Sequence, residues 1–445
     1  MDVCFYFQLH QPYRGRRYRI FDIGTGVSYF DDALNRDTLR RVADKCYVPA
    51  TEILTRLVSR AGARFALSVS GVLLEQLETD EPRALESLQS LVATGGVELL
   101  GETSHHSLAS LENADEFAAQ VKHHGAAMQR SFAVTPRVFR NTELIASDAL
   151  AARVAKMGFS AMLVEGAERV LGGRSPNHVY AAESSPKLRL LPRNYRLSDD
   201  VAFRFSDRNW DAWPLTAERY ADWIAASAGD VVNVFMDYET FGEHHDAQTG
   251  IFDFLLALPA ALEERGVSMV TPSQLAERKP VDTLFYATPT SWADTERDTS
   301  AWLGNRLQQA AHARLYQLRA AVLASGDKAL IAAWRRLSTS DHFYYMSTKW
   351  RADGDVHTYF SPHASPYDAY ISYMNVLRDV EQRVGSDRKR RDDRRAQLPE
   401  GATTNGRDYQ TAQLPEGATT KKREDKKSGG KKREGQKRGA KGRKR

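Results

Sequence analysis

The first 280 residues of this chain alternate short apolar runs with longer amphipathic stretches. Such alternation is typical of βα units and predicts a parallel sheet. Most of the apolar runs are continuous, as expected for strands that helices cover on both faces. The predicted strands are Val3–Leu9, Phe65–Val69, Val97–Leu100, Val138–Asn141, Ala161–Val164, Val201–Phe205, Val231–Met236 and Val267–Val270.

Helical periodicity fills the intervals between these runs. Several of the predicted helices are followed by glycine, a residue that commonly ends a helix. The main ones are Ala50–Arg60, Pro82–Thr94, Ala114–Phe132, Ser147–Met157, Ala217–Ala226 and Phe252–Arg265. From Thr295 to about Val384 the strand pattern disappears and helical periodicity continues alone. The sequence therefore predicts an α/β fold, with a barrel over residues 1–285 and a helical region over residues 286–384.

The remaining segment, residues 385–445, differs from the rest of the chain in its charge. It has 21 Lys and Arg against 9 Asp and Glu, a net of +12, which leaves the rest of the chain at 41 against 48, or −7. Because large apolar residues are almost absent from it, we expect a disordered basic tail. Two interpretations stay open: a solubilising extension, or weak, salt-sensitive binding of a polyanion such as RNA or DNA.

Composition excludes several broad classes of protein. Apolar residues make up 42% of the chain, so a sizeable core can form. No run approaches the roughly 18 apolar residues that cross a bilayer, and the start lacks the pattern of a secretion signal. Two cysteines, Cys4 and Cys46, allow one disulfide at most and no four-cysteine zinc site. We therefore expect a cytoplasmic protein without membrane contact, and the sequence leaves its oligomeric state open.

Polar side chains gather where the predicted strands end. In a parallel barrel the carboxyl ends of the strands converge on one mouth, and that mouth hosts the active site. The residues found there are His10 and Gln11 after the first strand, Glu102, His105 and His106 after the third, Glu143 after the fourth, Glu165 after the fifth, and Asp237 and Glu239 after the seventh.

Two of these residues, Glu143 and Asp237, form a candidate catalytic pair. A carboxylate placed just past a buried strand is costly to desolvate unless something pairs with it or uses it. Two carboxylates at one mouth, in environments that separate their pKa values, supply the acid and the nucleophile or base of glycoside hydrolysis. For either residue alone, a helix cap or a salt bridge is the structural alternative.

Other chemistries find less support. The Gly-x-Ser-x-Gly elbow of serine hydrolases is absent from the sequence, and so is a phosphate-binding loop. Adjacent histidines such as His105 and His106 point different ways along the chain and chelate a metal poorly, so no metal or other cofactor is expected. A metal-dependent deacetylase or mannosidase-like enzyme, with His10, His106 and Asp237 as ligands, stays open as an alternative. A glycan-binding protein without catalysis is another.

Five ordered stretches of the sequence resemble glycoside hydrolase family 57, a family of α-glucan-active enzymes, and in particular its α-amylase-like subgroup. The resemblance covers residues 1 to about 384. The stretches are LHQP (Leu9–Pro12), GVELLGETSHHSL (Gly96–Leu108), VFRNTELI (Val138–Ile145), VFMDYETFGEH (Val234–His244) and SWADTERDTSAWLGNRLQ (Ser291–Gln308).

The resemblance implies an incomplete (β/α)7 TIM-like barrel, followed by a helical bundle that closes over the cleft. Glu143 matches the family nucleophile and Asp237 the general acid/base of a retaining mechanism on an α-1,4-glucan or oligosaccharide. A 4-α-glucanotransferase or a branching enzyme is the nearest alternative, because the family carries these activities on one scaffold. One difference is Arg140-Asn141-Thr142 before Glu143, where family members often present Trp or Pro.

The resemblance also implies sugar-binding residues. His10 and His106 match family positions that line the sugar subsite, and Gln11 lies beside the first of them. In the fifth stretch, three residues at i, i+4 and i+7 are predicted to share one helix face, where an indole can stack on a pyranose. These three are Asp298, Trp302 and Asn305.

Further candidates come from a later segment and from other tryptophans. Two stretches, SDHFYYMSTKW (Ser340–Trp350) and DGDVHTYFSP (Asp353–Pro362), are rich in aromatic and polar residues, and the second resembles a stretch of the same subgroup. Three of their polar residues are expected near the cleft: Asp341, His342 and His357. Trp210, Trp213 and Trp292 are further candidates for stacking on a sugar.

Overall fold

The computed structural model describes residues 1–349 and 361–396. Ten strands lie in this part of the chain: β1 (Asp2–Leu9), β2 (Phe65–Val69), β3 (Val97–Leu99), β4 (Val138–Arg140), β5 (Ala161–Glu165), β6 (Tyr180–Ala182), β7 (Ser185–Arg193), β8 (Val231–Asp237), β9 (Ser268–Met269) and β10 (Thr283–Leu284).

Eighteen α-helices lie in the same residues, together with short 3-10 and π turns. They are α1 (Asp32–Val42), α2 (Val48–Ala61), α3 (Gly71–Asp80), α4 (Pro82–Ala93), α5 (Ala109–Glu112), α6 (Ala114–Phe132), α7 (Asp148–Lys156), α8 (Glu168–Leu171), α9 (Tyr195–Ala202), α10 (Ala217–Ala225), α11 (Ile251–Glu263), α12 (Pro272–Ala276), α13 (Ser300–Leu303), α14 (Arg306–Gln317), α15 (Arg319–Ser325), α16 (Lys328–Leu337), α17 (Ser340–Tyr344) and α18 (Pro366–Ala396).

Seven parallel strands form an incomplete barrel. One sheet has the order β3-β2-β1-β8, with β9 beside β1, and the other has the order β10-β6-β7-β5-β4. The sheets meet where Gly101, after β3, pairs with Phe139 in β4. They meet again where the backbone N–H of Asn194, after β7, donates to the carbonyl of Asn233 in β8, at 2.8 Å. The predicted (β/α)7 arrangement is confirmed, with β6, β9 and β10 outside the ring.

The barrel interior and its outer layer are built from alternate residues of the same strands, because successive side chains of a strand point to opposite faces. In β1, Cys4 and Tyr6 belong to the interior cluster, where the Tyr6 ring meets Phe235 of β8 edge-on at 5.5 Å. Phe5 and Phe7 point outward into the larger cluster beneath the helices. Both faces of β1 are therefore buried, which explains the unbroken apolar run from Val3 to Phe7.

One predicted strand is wrong. Residues 201–205 were expected to form a strand, but Val201 lies in helix α9, which begins after its N-cap Asn194. The strand in this part of the barrel is β7, which the sequence pattern did not reveal. Its first half is exposed at Pro186 and Lys187, so it lacks the continuous apolar run on which the other predictions rested.

The second region is helical, as predicted. Among residues 295–349 and 361–384 the structure has helices α13 to α18 and no strand. Residues Met1–Asp392 form one compact unit, so a division of that unit at residue 285 stays a prediction. Helix α18 continues past the predicted boundary at Gly385 to Ala396, and the rest of the predicted basic tail lies outside the described residues. No helix in the described part of the chain is both long and apolar enough to cross a membrane.

Candidate active site

Glu143 lies on a tight turn at the carboxyl end of β4. Its backbone is left-handed, with φ 57° and ψ 26°, and that of Leu144 follows with φ 50°. Non-glycine residues adopt this conformation rarely, and such strain concentrates at functional sites. The turn is held by Asn141, whose Nδ2 donates to the Ile145 carbonyl at 2.9 Å. The fold therefore presents Glu143 in a fixed direction at the barrel mouth.

The Glu143 carboxylate is held by three side chains from other parts of the chain. The Trp292 indole Nε1–H donates to Oε2 at 2.9 Å, and the Ser340 hydroxyl donates to Oε1 at 3.0 Å. His106 Nε2 lies 3.4 Å from Oε1. The Glu143 side chain keeps 18% of its surface exposed. Its carboxylate is thus fixed in position and still accessible from the cleft.

His106 bridges two carboxylates. Its Nδ1 lies 3.1 Å from Oε2 of Glu102, a residue buried completely and bonded by the Ser68 hydroxyl at 2.8 Å. Burial alone would lower the pKa of His106, but its contacts with Glu102 and Glu143 raise it to about 9. Burial raises the pKa of Glu102, yet the neighbouring cations, led by His106, lower it to about 2. His106 is therefore an imidazolium at neutral pH.

Asp237 ends β8, where its backbone is in register with Gln8 of β1. Burial raises the pKa of Asp237, and the negative charge of Glu143 raises it further, to about 6. For Glu143, burial also raises the pKa, but the contact and charge of His106 outweigh this and lower it. The two carboxyl groups thus interact electrostatically, and their environments separate their pKa values in the way that acid and nucleophile roles require.

His10 and Asp341 lie on the other side of His106. The His10 and His106 rings stack with their centroids 4.0 Å apart. His10 Nε2 lies 2.9 Å from Oδ2 of Asp341. Burial and the charge of His106 lower the pKa of His10, so His10 is the neutral member of the stacked pair. Gln11 is buried beside them, where its Nε2 donates to Glu239 Oε1 at 3.5 Å.

The three residues of the fifth stretch do not share a helix face, so that prediction is wrong. Asp298 precedes α13 and accepts from the backbone of Ser300, whereas Asn305 is the N-cap of α14. Between them α13 has only four residues, because the backbone becomes extended at Asn305 before α14 begins. Trp302 is only 2% exposed, so its indole is packed in the core and offers no open face to a sugar. A sugar-binding role for these residues stays a prediction.

Three other predicted sugar-binding residues pack against aromatic side chains or line a surface cavity. His342 is 4% exposed and packs against the rings of Tyr345 and Tyr373. Trp213 is 42% exposed and lines a surface cavity with residues of α10 and α11, and Trp210 packs against Trp223. His357 lies outside the described residues.

Several contacts were not predicted from the sequence. Ser340 begins a stretch whose predicted site residues are Asp341 and His342, and its hydroxyl is not among the predictions. The sequence suggests Trp292 for stacking on a sugar, whereas in the structure its indole N–H donates to Glu143. The sequence marks Arg140 only as a difference from the family motif. Its position in the stretch VFRNTELI, three residues before Glu143, was the one available signal.

The ring nitrogens of the histidines at the site face side chains of the protein itself. Among the described residues, no group of three or more His, Cys, Asp and Glu is arranged to hold a metal ion. The ring nitrogens of His10 lie against Ser70 and Asp341, and those of His106 against Glu102 and Glu143.

The fold is a TIM-like barrel, and the site places a pair of carboxyl groups, those of Glu143 and Asp237, at its mouth. Residues 4–288 match the family model described as "Glycosyl hydrolase family 57". A curated protein of Methanocaldococcus jannaschii named "Putative alpha-amylase" is 41% identical over 397 residues, which is 86% of this chain and 84% of that protein. The chain belongs to glycoside hydrolase family 57.

Solved structures of low sequence identity share the fold. A branching enzyme from Pyrococcus horikoshii superposes with a TM-score of 0.61 at 14% identity, covering 86% of this chain and 94% of that one. A 4-α-glucanotransferase from Thermococcus litoralis has a TM-score of 0.60 at 14% identity and covers 77% of this chain. This chain spans 56% of the glucanotransferase. Family membership separates the chain from the metal-dependent deacetylases that the sequence had left open.

Proposed function

We propose that this chain is a retaining glycoside hydrolase that cleaves α-1,4-glucans, with Glu143 as nucleophile and Asp237 as general acid/base. The observation that supports this most directly is the carboxyl pair at the barrel mouth with its separated pKa values. Family membership and the name of the Methanocaldococcus jannaschii relative favour the same substrate class. A cytoplasmic location is part of the proposal.

The environment of Glu143 suits a nucleophile. Donors from Trp292 and Ser340, with the His106 imidazolium, favour the ionised carboxylate and fix its two oxygens. A carboxylate held in this way attacks the anomeric carbon without reorganising, because its partners are already in place. The bond that forms joins Glu143 to the sugar, and the bond that breaks is the glycosidic C–O bond.

The environment of Asp237 suits the acid. Because its pKa is raised to about 6, a fraction of Asp237 is protonated at mildly acidic pH and gives its proton to the departing oxygen. The resulting carboxylate then takes a proton from water as that water attacks the glycosyl-enzyme. If a sugar hydroxyl takes the place of water, the same steps produce glucan transfer.

A trapping experiment tests these roles. The enzyme is incubated with a fluorinated maltosyl fluoride, whose glycosyl-enzyme forms faster than it hydrolyses, and is then digested for mass spectrometry. We expect a maltosyl adduct on the peptide that contains Glu143. Asp237→Asn is expected to keep the adduct, because fluoride needs no proton to leave, and Glu143→Gln is expected to lose it. An adduct on another residue, or none in an active enzyme, would refute the assignment.

Product analysis separates hydrolysis from transfer. Maltoheptaose is supplied alone, and the products are followed both as new reducing ends and as chain-length distribution. We expect reducing ends to increase with each cleavage. Redistribution of chain lengths at a constant number of reducing ends would instead assign the chain to glucan transfer.

A further inference from the structure

Arg140, the last residue of β4, carries a positive charge that the structure leaves without ordinary partners. The side chain has no exposed surface. Among the described residues, Nε, Nη1 and Nη2 have no hydrogen-bond acceptor. The carboxylate within ion-pair distance is Glu102, at 3.9 Å from Nη1, which already holds His106. Burying a guanidinium in this way costs stability, so its presence calls for a functional explanation.

Arg140 contacts the Trp292 ring, and Trp292 in turn contacts the Glu143 carboxylate. The Arg140 Cζ lies 5.0 Å from the centroid of the Trp292 ring, within the range of a cation–π interaction. Arg193 lies 5.7 Å from the same ring. The indole that both guanidinium groups approach is the one that donates its Nε1–H to Glu143. Because a ring packed on a planar cation cannot rotate freely, the direction of that N–H depends on Arg140.

We propose that Arg140 is a positioning residue for the glycosidic reaction: it orients Trp292 toward Glu143, and its positive charge stabilises the ionised Glu143 carboxylate. This inference rests on the proposed function. It assigns to Arg140 two effects that substitutions can separate, one from its shape and one from its charge.

The charge of Arg140 acts on groups from several strands. These include Tyr6 of β1, Glu102 and His106 after β3, Glu143 after β4, and Asp237 of β8. A second cation, Arg193 of β7, lies against the same indole ring. In both Glu143 and Asp237 the Arg140 charge acts to lower the pKa. Loss of the charge should therefore move both pKa values in the same direction, upward.

The test uses Arg140→Met, which removes the charge at similar length, and Arg140→Lys, which keeps the charge but not the planar group. For each variant kcat/KM on maltoheptaose is measured against pH. We expect Arg140→Met to shift both limbs of the profile to higher pH and to lower kcat/KM at the wild-type optimum about tenfold. We expect Arg140→Lys to lower kcat with both limbs unmoved. Arg64→Met, an exposed arginine before β2, is the matched control and should match the wild type.

The outcomes separate this inference from the proposed function. A wild-type enzyme inactive on α-glucans would refute the proposed function itself. An active wild type, with an Arg140→Met variant that keeps the native melting transition and both limbs in place, would overturn the role of Arg140. If Arg140→Met does not fold, Arg140→Lys decides: reduced kcat with fixed limbs supports the proposal, and wild-type kcat overturns it.

Discussion

The Trp292 indole nitrogen donates a 2.9 Å hydrogen bond to Oε2 of Glu143 across 149 residues of sequence. The backbone N–H of Trp292 also donates to the carbonyl of Glu143, at 3.3 Å. Both the carboxylate and the backbone carbonyl of Glu143 therefore accept hydrogen bonds from one residue, which lies in the segment that follows the barrel. Because Glu143 has a left-handed backbone, these bonds also help to maintain a conformation that its own local preferences disfavour.

Trp292→Phe should impair catalysis more than folding. The substitution keeps an aromatic ring but removes a donor to a charged group, and such bonds are worth about 1.5–3 kcal/mol, or roughly 10- to 100-fold in kcat/KM. Steady-state kinetics on maltoheptaose, with thermal melts alongside, measure both effects. The matched control is Trp213→Phe at the exposed Trp213. Equal losses in the two variants would contradict a specific role for Trp292.

Activity should depend on pH through the two carboxyl groups. The reaction needs Glu143 ionised and Asp237 protonated. Because the pKa of Asp237 is raised to about 6, activity should fall as the pH increases through about 6. Because the pKa of Glu143 is lowered, the acid limb should lie below 4.5. A kcat/KM profile from pH 3 to 9 tests this, and a rate that keeps increasing through neutral pH would contradict it.

Acid should destabilise the fold through Glu102. The pKa of this buried carboxyl is about 2 in the folded chain, below its ordinary 4.5, so its stabilising effect is complete above pH 4.5 and is lost as pH falls toward 2. Glu102→Gln breaks a buried pair with His106, which costs about 3–5 kcal/mol. Urea denaturation at several pH values should show a lower free energy of unfolding and a flatter acid dependence. Glu168→Gln, at an exposed pair with Arg196, is the control and should behave as the wild type.

Neighbouring residues in α17 should differ in their effect on substrate binding. Asp341 lies beside His10 at the site, whereas His342 is packed among aromatic rings. Asp341→Asn should raise the KM for maltooligosaccharides about tenfold, because a single hydrogen bond contributes about 1–1.5 kcal/mol. His342→Phe should leave KM unchanged. If His342→Phe raises KM as much as Asp341→Asn, the sugar-binding surface includes His342 after all.

The basic run at the end of the chain should act independently of catalysis. Deletion of residues 421–445 should leave kcat/KM on maltoheptaose unchanged. The same deletion should abolish any salt-sensitive retention on a heparin column, because clustered cations carry such binding. If the full chain passes through heparin at low salt, the solubilising interpretation of the segment is favoured.

Patterns within single elements were predicted well from the sequence. Strand β1 and helix α6 agree with the prediction because a buried strand or an amphipathic helix leaves its period in adjacent residues. Strand β7 was not predicted, because its first half is exposed and lacks the apolar pattern of a buried strand. Likewise the i, i+4, i+7 spacing from Asp298 to Asn305 assumed one continuous helix, whereas the chain turns between α13 and α14.

The alternating elements and the acidic residues at the ends of the strands could be predicted from the sequence, because both depend on residues that are close together in the chain. The side chains that surround Glu143 could not be predicted in this way, because they come from distant segments. Trp292 and Ser340 reach it from 149 and 197 residues away, and His106 carries a charge only because Glu102 and Glu143 lie on either side of it. Such contacts depend on closure of the barrel and on packing of the helical region against it, and no local pattern specifies either.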